Sequence, residues 1–159
     1  MSIGSLYFTG KTAAIQIMRI GLLPAQALNA VPNVLRNYTT APLDIDSSTS
    51  ILPIEPQLGT ATFTEELDSE DENEALYIQK LKFRVAGTRN ELQQALAPLE
   101  LGRHIVLVKH RAYTRIAGLP NGMTFQLDID TGTAAVGGIG VKLENRTTMK
   151  SVRTSYETI

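Results

Sequence analysis

Residues 76–110 read LYIQKLKFRVAGTRNELQQALAPLELGRHIVLVKH, and their pattern changes period twice. Leu81, Phe83 and Val85 alternate with Lys80, Lys82 and Arg84. Successive side chains of a strand point to opposite faces, so this segment buries one face and wets the other. Gly87 breaks the strand. Thr88 stands three residues before Glu91, the spacing of a capping box. There the hydroxyl accepts from the Glu91 amide, and the carboxylate accepts from the Thr88 amide. Leu92, Ala95, Leu96 and Leu99 recur at i, i+3, i+4 and i+7, one apolar stripe of a short helix over about 88–100. Pro98 withdraws a donor near its end, and Gly102 follows. Ile105 to Val108 is then an unbroken apolar run between Arg103, His104 and Lys109. That is the pattern of a strand covered on both faces.

Working outward, Thr60, Thr62 and Thr64 alternate with Ala61, Phe63 and Glu65, and the acidic run Glu65 to Glu74 follows. The simplest arrangement is a hairpin from strand 59–67 to strand 76–86, with the acidic residues at its tip. On the other side, Arg111 to Gly118 predicts a strand, and Pro120-Asn121-Gly122 a turn. Phe125, Leu127 and Ile129 alternate with Gln126, Asp128 and Asp130, and a turn covers Asp130 to Thr133. Val141 and Leu143 alternate with Lys142 and Glu144, and Ser151 to Tyr156 adds an edge strand. Six to eight short strands with one helix predict a mainly β, α+β fold. Its form is an antiparallel β-sandwich or half-barrel with the helix closing one face. The strand–helix–strand centre also fits a ferredoxin-like layer.

Residues 1–58 read differently. Ile15, Ile17 and Ile20 predict a strand, and Leu22 to Leu35 a short helix limited by Pro24 and Pro32. Five of the seven prolines lie between positions 24 and 56. TTAPLDIDSSTSILPIEPQLG has turn chemistry without sustained periodicity, the mark of a functional loop or of an arm ordered on a partner. The chain therefore divides into an N-terminal extension, 1–58, part packed and part arm, and a β-rich core domain, 59–159.

The 159 residues are 43% hydrophobic, enough for a sizeable core. There is no cysteine and no tryptophan, so disulfides and thiolate metal sites are excluded. The stretch from Ala13 to Leu23 is interrupted by Gln16, Arg19 and Gly21, too short to span a bilayer, and no basic leader precedes it. The chain reads as soluble, not secreted and without a membrane partner. Net charge is −1 but unevenly spread. Residues 65–79 hold seven acidic groups and no basic one, whereas 80–159 hold twelve basic and six acidic. Separated blocks of charge suit complementary contacts between neighbouring copies, and equally a single solvated loop.

No motif carries chemistry. Gly10-Lys11-Thr12 lacks the four-residue spacing to an earlier glycine, since five residues separate Gly4 from Gly10, and no apolar strand precedes it. Asp130-Thr131-Gly132 follows a strand as in dimeric aspartic proteases, but only 27 residues remain after it for the framework behind such a site. His104 and His110 flank an apolar strand with no third ligand of suitable type nearby, and read as surface residues at strand ends. The acidic run does not match a calcium-binding loop. Lys80, Lys82 and Arg84, with Tyr77 nearby, form one basic group, and Arg103, Lys109, Arg111, Tyr113 and Arg115 a second. Basic and aromatic residues together suit a single-stranded nucleic-acid groove, and also an ordinary solvated face. The sequons at Asn37 and Asn145 carry no weight without a secretory signal. No catalytic, cofactor-binding or metal residue is assigned.

One resemblance covers about residues 59–157. A capped helix after FRVAGTRNEL is followed by HIVLVKH, an Asn-Gly turn, FQLDIDTGTA and the glycine-led strand IGVKLEN. This order resembles small structural proteins of bacteriophage tail and neck modules, especially those of Bacteroidetes-infecting phages. It is similar in outline to tail-tube-like subunits, a β-sandwich with one flanking helix and a long loop or arm. The resemblance implies a virion subunit without enzymatic activity or cofactor, assembled in the host cytoplasm. Its partners would be copies of itself in a ring or tube and neighbouring virion proteins. An acidic run facing the lumen would let DNA pass non-specifically. The other reading of the residues is a small soluble module, OB-like or ferredoxin-like, that binds nucleic acid or protein.

Overall fold

In a computed structural model, which describes residues 16–32, 38–39, 43–70, 75–128 and 138–154, the apolar run at 105–108 lies at the centre of a sheet. The strands are β1 (Ile17–Pro24), β2 (Tyr38–Thr39), β3 (Leu52–Ile54), β4 (Thr62–Glu70) and β5 (Ala75–Val85). They continue as β6 (Arg103–His110), β7 (Thr114–Ala117), β8 (Met123–Asp128), β9 (Ile139–Thr147) and β10 (Val152–Thr154). The single α-helix among the described residues, α1, spans Arg89–Leu96, and a 3₁₀ turn continues it over Ala97–Glu100. The ten strands form one sheet with the order β2-β10-β7-β6-β8-β9-β5-β4, and β1 and β3 add to the other edge of β6. All pairings are antiparallel except β10 with β2. A mainly β, α+β fold with one flanking helix is what the alternation predicts.

Two long strands turn a corner together. β7 and β8 lie on the same edge of β6, with Val106 opposite Ala117 and His104 opposite Met123. Residues 118–122, which include the cis Leu119–Pro120 peptide, interrupt them. β9 and β10 are interrupted in the same way at 148–151. On one side of the corner lie β3, β1, β6, β7, β10 and β2, and on the other β8, β9, β5 and β4.

The core follows from this bend. Ile20, Leu22, Val106 and Val108 from the first half pack in one cluster with Leu81, Phe83, Phe125, Val141 and Leu143 from the second. Leu96 of α1 joins it, with Leu92 and Leu99 partly buried against it. Behind β6, Leu23, Ile105, Ile116, Leu119 and Val152 form a second cluster, covered by Leu28, Leu43, Ile45 and Ile51. Ile105 to Val108 are therefore buried from both faces, which explains their lack of alternation. Each such side chain removed from water contributes about 1.5–3 kcal/mol.

Several expectations change. The described part of the expected helix at Leu22 to Leu35 is not helical: β1 runs to Pro24 because pairing with β6 places Leu22 and Leu23 in opposite clusters, and a 3₁₀ turn follows at Ala25–Ala27, while 33–35 lie outside the described residues. Part of the 1–58 segment is packed on the sheet, since β1 pairs along nearly all of β6 and β3 pairs with β1. The ferredoxin-like layer is excluded. β8 and β9 lie between β6 and β5, so three antiparallel steps leave β5 and β6 antiparallel to each other. β4 runs on to Glu70, so half of the expected acidic tip is strand. The segments around Gly10-Lys11-Thr12 and Asp130-Thr131-Gly132 lie outside the described residues, as does Asn37.

The capping box at Thr88 is not formed either. Thr88 has the extended backbone of an N-cap but makes no side-chain hydrogen bond. The helix is held by its apolar side instead. Thr88→Ala is therefore expected to cost under about 0.5 kcal/mol in urea denaturation, below the ~1 kcal/mol of an engaged cap.

Candidate functional site

The half-sheet β4–β5–β9–β8 has one apolar and one polar face, and the polar face carries most of the expected charge. Register places Thr62, Lys82, Lys142 and Gln126 in one row. The next row is Thr64, Lys80, Glu144, Thr124 and Arg103. Arg84, Gly140 and Asp128 form a third. Arg103 thus belongs with Lys80 and not with the group around Tyr113. Tyr77 has the parity of Leu81 and lies on the opposite face, under Lys150 at 5.2 Å. The aromatic component of a nucleic-acid groove is therefore missing from this basic face.

Two ion pairs neutralise part of the face. Lys142 Nζ is 3.0 Å from Glu144, and Arg146 is 2.7 Å from Asp68. The guanidinium of Arg103 donates to the carbonyls of Asn121 and Gly122. Lys82 and Arg84 have no ion-pair partner among the described residues. Between them lies an open trough of about 440 Å³, lined by Thr60, Lys82, Arg84, Gln126, Gly140 and Lys142 among others.

The acidic run is not one surface. Glu66 is exposed. Glu65 shares the inner face with Gln79 and Asn145. It accepts from Gln79 Nε2 at 2.6 Å, from the Ser151 amide at 2.8 Å and from the Ser151 hydroxyl at 3.1 Å. Gln79 is 0% exposed and accepts the Gly118 amide at 2.9 Å. Thr147 donates to the Leu119 carbonyl at 2.7 Å. These polar groups tie both chain corners to β4 and β5. A polar residue at an apolar-parity position of the β5 alternation was the signal for Gln79, and it is visible in the sequence. Glu65 and Asp68 are therefore engaged within the chain.

The histidines are buried, His104 at 6% and His110 at 5% exposed, and do not sit at a surface. His104 Nε2 donates to the Leu99 carbonyl at 2.8 Å, fastening the end of the helical segment to β6. His110 stacks on Tyr113 with ring centres 4.7 Å apart. Arg115 and Arg153 also lie over Tyr113, and Arg115 donates to Ser151 at 2.8 Å. The second basic group is thus largely structural. Among the described residues no three metal-ligating side chains gather, and no helix is long and apolar enough to cross a membrane.

The other candidate is a strand edge. β4 is nine residues long, contains no proline, and pairs only with β5 among the described residues. The edge strand β3 contains Pro53, which has no amide to donate, and β2 has only two residues. Leu67 on β4 is 51% exposed. Comparison with protein-family models, curated proteins and solved structures finds no match to this chain.

Proposed function

We propose that the chain is a structural subunit that works by association, with the β4 edge as its seam. The observation that carries this is the proline-free, nine-residue β4, paired on one edge only among the described residues, beside two blunted edges. An open edge of that length is a template for another strand. Two β4 strands brought together would place the same acidic residues, Glu66 among them, against each other, and like charges across a strand pair are destabilising. Contact with a different surface of the next copy avoids this. Such contacts between two unlike surfaces close into rings or extend into tubes. The resemblance to phage tail and neck proteins supports placing that ring or tube in a virion, with other virion proteins above and below. On this reading the chain is not an enzyme and holds no cofactor.

Light scattering with size-exclusion chromatography tests the seam. The native chain forms concentration-dependent oligomers larger than a dimer. Glu66→Lys, on an exposed position, shifts them at least tenfold in concentration towards monomer at unchanged melting temperature. A native chain that stays monomeric at all concentrations removes the proposal.

A further inference from the structure

We infer that the trough over Gly140 binds a phosphate-class oxyanion, the group being either a small phosphorylated molecule's or a nucleic-acid backbone's. This does not depend on the assembly reading, because the trough lies on the outer face and not along the β4 edge.

The charges around the trough are unequal in a telling way. Lys80 faces Glu144 across the ladder, and Lys142 is paired with that same carboxylate. Further along, Lys82 and Arg84 have no ion-pair partner among the described residues. The Arg84 Nε is buried and has no hydrogen-bond partner. A buried donor of a charged group left without an acceptor costs about 1–3 kcal/mol or more. A rotation of the side chain that brings Nε to an anion in the trough would remove that cost. Gly140, the register neighbour of Arg84, supplies no side chain to that part of the floor.

The frame is fixed before any ligand arrives. The Arg84 amide donates to the Thr60 hydroxyl at 3.1 Å, and its carbonyl accepts from the Gln57 amide at 2.7 Å. Thr60 in turn donates to the Gln57 carbonyl at 2.6 Å. The guanidinium therefore projects from a held backbone, which lowers the ordering cost of a bidentate contact. Gln126 adds an amide donor to the wall. The lining aromatic, Phe83, is 2% exposed, so no base can stack there. The site reads charge and not sequence.

In the neighbouring depression, lined by Arg103, Glu144, Asn145 and Arg146 among others, the unpartnered buried atom is Asn145 Oδ1, an acceptor that an anion cannot satisfy. Its two arginines are engaged by the Asn121 and Gly122 carbonyls and by Asp68. It serves as an internal control.

The test is calorimetric titration of the full chain at low salt with inorganic phosphate, and separately fluorescence anisotropy with a thymidine oligonucleotide. Binding is expected with at least one probe and falls as salt rises. Arg84→Ala and Lys82→Ala each weaken it about tenfold, a loss of about 1.4 kcal/mol. Arg84→Lys restores part of the affinity, and Arg103→Ala leaves it unchanged. Lys82→Ala leaves the melting temperature at the native value because the residue is exposed, and Arg84→Ala does not lower it, since its buried Nε has no partner to lose. Phosphate binding without tighter oligonucleotide binding assigns a small phosphorylated molecule. Tighter oligonucleotide binding with a steep salt slope assigns a nucleic-acid backbone. No binding of either probe, or binding that ignores Arg84→Ala and Lys82→Ala, overturns the inference.

Discussion

Gln79→Leu lowers the unfolding free energy by about 3 kcal/mol, measured by urea denaturation. The side chain is wholly buried and makes contacts that leucine cannot replace. Its carbonyl oxygen accepts from the Gly118 amide, and its amide donates to Glu65 and, at 3.3 Å, to the Met149 carbonyl. Leucine fills the volume, so the loss is not a cavity. It strands a backbone amide and removes one of three donors from a carboxylate, at about 1–3 kcal/mol for each group left unsatisfied. Glu65→Ala strands the Ser151 amide from the other end and is expected to cost about 2 kcal/mol. The two changes share one hydrogen bond of charge-assisted type, so the double variant loses about 1–2 kcal/mol less than the sum. A fully additive pair would mean that the two corners are held independently. A cost below about 1 kcal/mol for Gln79→Leu would mean that they are held by apolar packing alone.

This network also marks where the sequence stops being legible. The strands β5, β8 and β9 were readable because each buries one face, which leaves a period of two in Leu81-Phe83, Phe125-Leu127 and Val141-Leu143. The unbroken run at Ile105 to Val108 announced a strand covered on both sides, but not what covers it. The cover comes from 25–51, whose prolines and aspartates imitate an arm. Leu22 and Leu23 look helical beside Leu28 because a strand buried on both faces has no alternation to show. Thr88 and Glu91 have the spacing of a box that does not close, since local pattern fixes only what is possible for a cap. The trough is illegible for another reason. Lys82 and Lys142 are sixty residues apart and meet only through the β5–β9 register, and that register depends on long-range packing. The β4 edge, without a second partner among the described residues, is likewise a property of the whole sheet order.

Gly122→Ala is expected to cost about 3–5 kcal/mol, against about 1 kcal/mol for Gly102→Ala. Both glycines have positive φ, +86° and +94°, so both substitutions force an L-residue into the left-handed region. Only the space differs. A Cβ at Gly122 would lie 2.9 Å from the Cβ atoms of Ala25 and Arg103 and from the His104 amide nitrogen, whereas Gly102 has nothing within 4 Å. Overpacking of that kind adds about 1–3 kcal/mol, because backbone and not a flexible side-chain end must yield. The place where it yields matters more than the size. Gly122 closes the 118–122 corner through its amide bond to the Gly118 carbonyl, and β8 meets β6 immediately after it through only two register pairs, at Arg103 and His104. Moving that junction loosens the β6–β8 pairing, the one direct strand pairing between the two halves of the sheet among the described residues. The Gly122→Ala variant is therefore expected to unfold over a broader urea range than Gly102→Ala, as two half-sheets with unequal stability. Equal costs for the two variants would show that the corner relaxes freely, and that the halves are joined by the shared core alone.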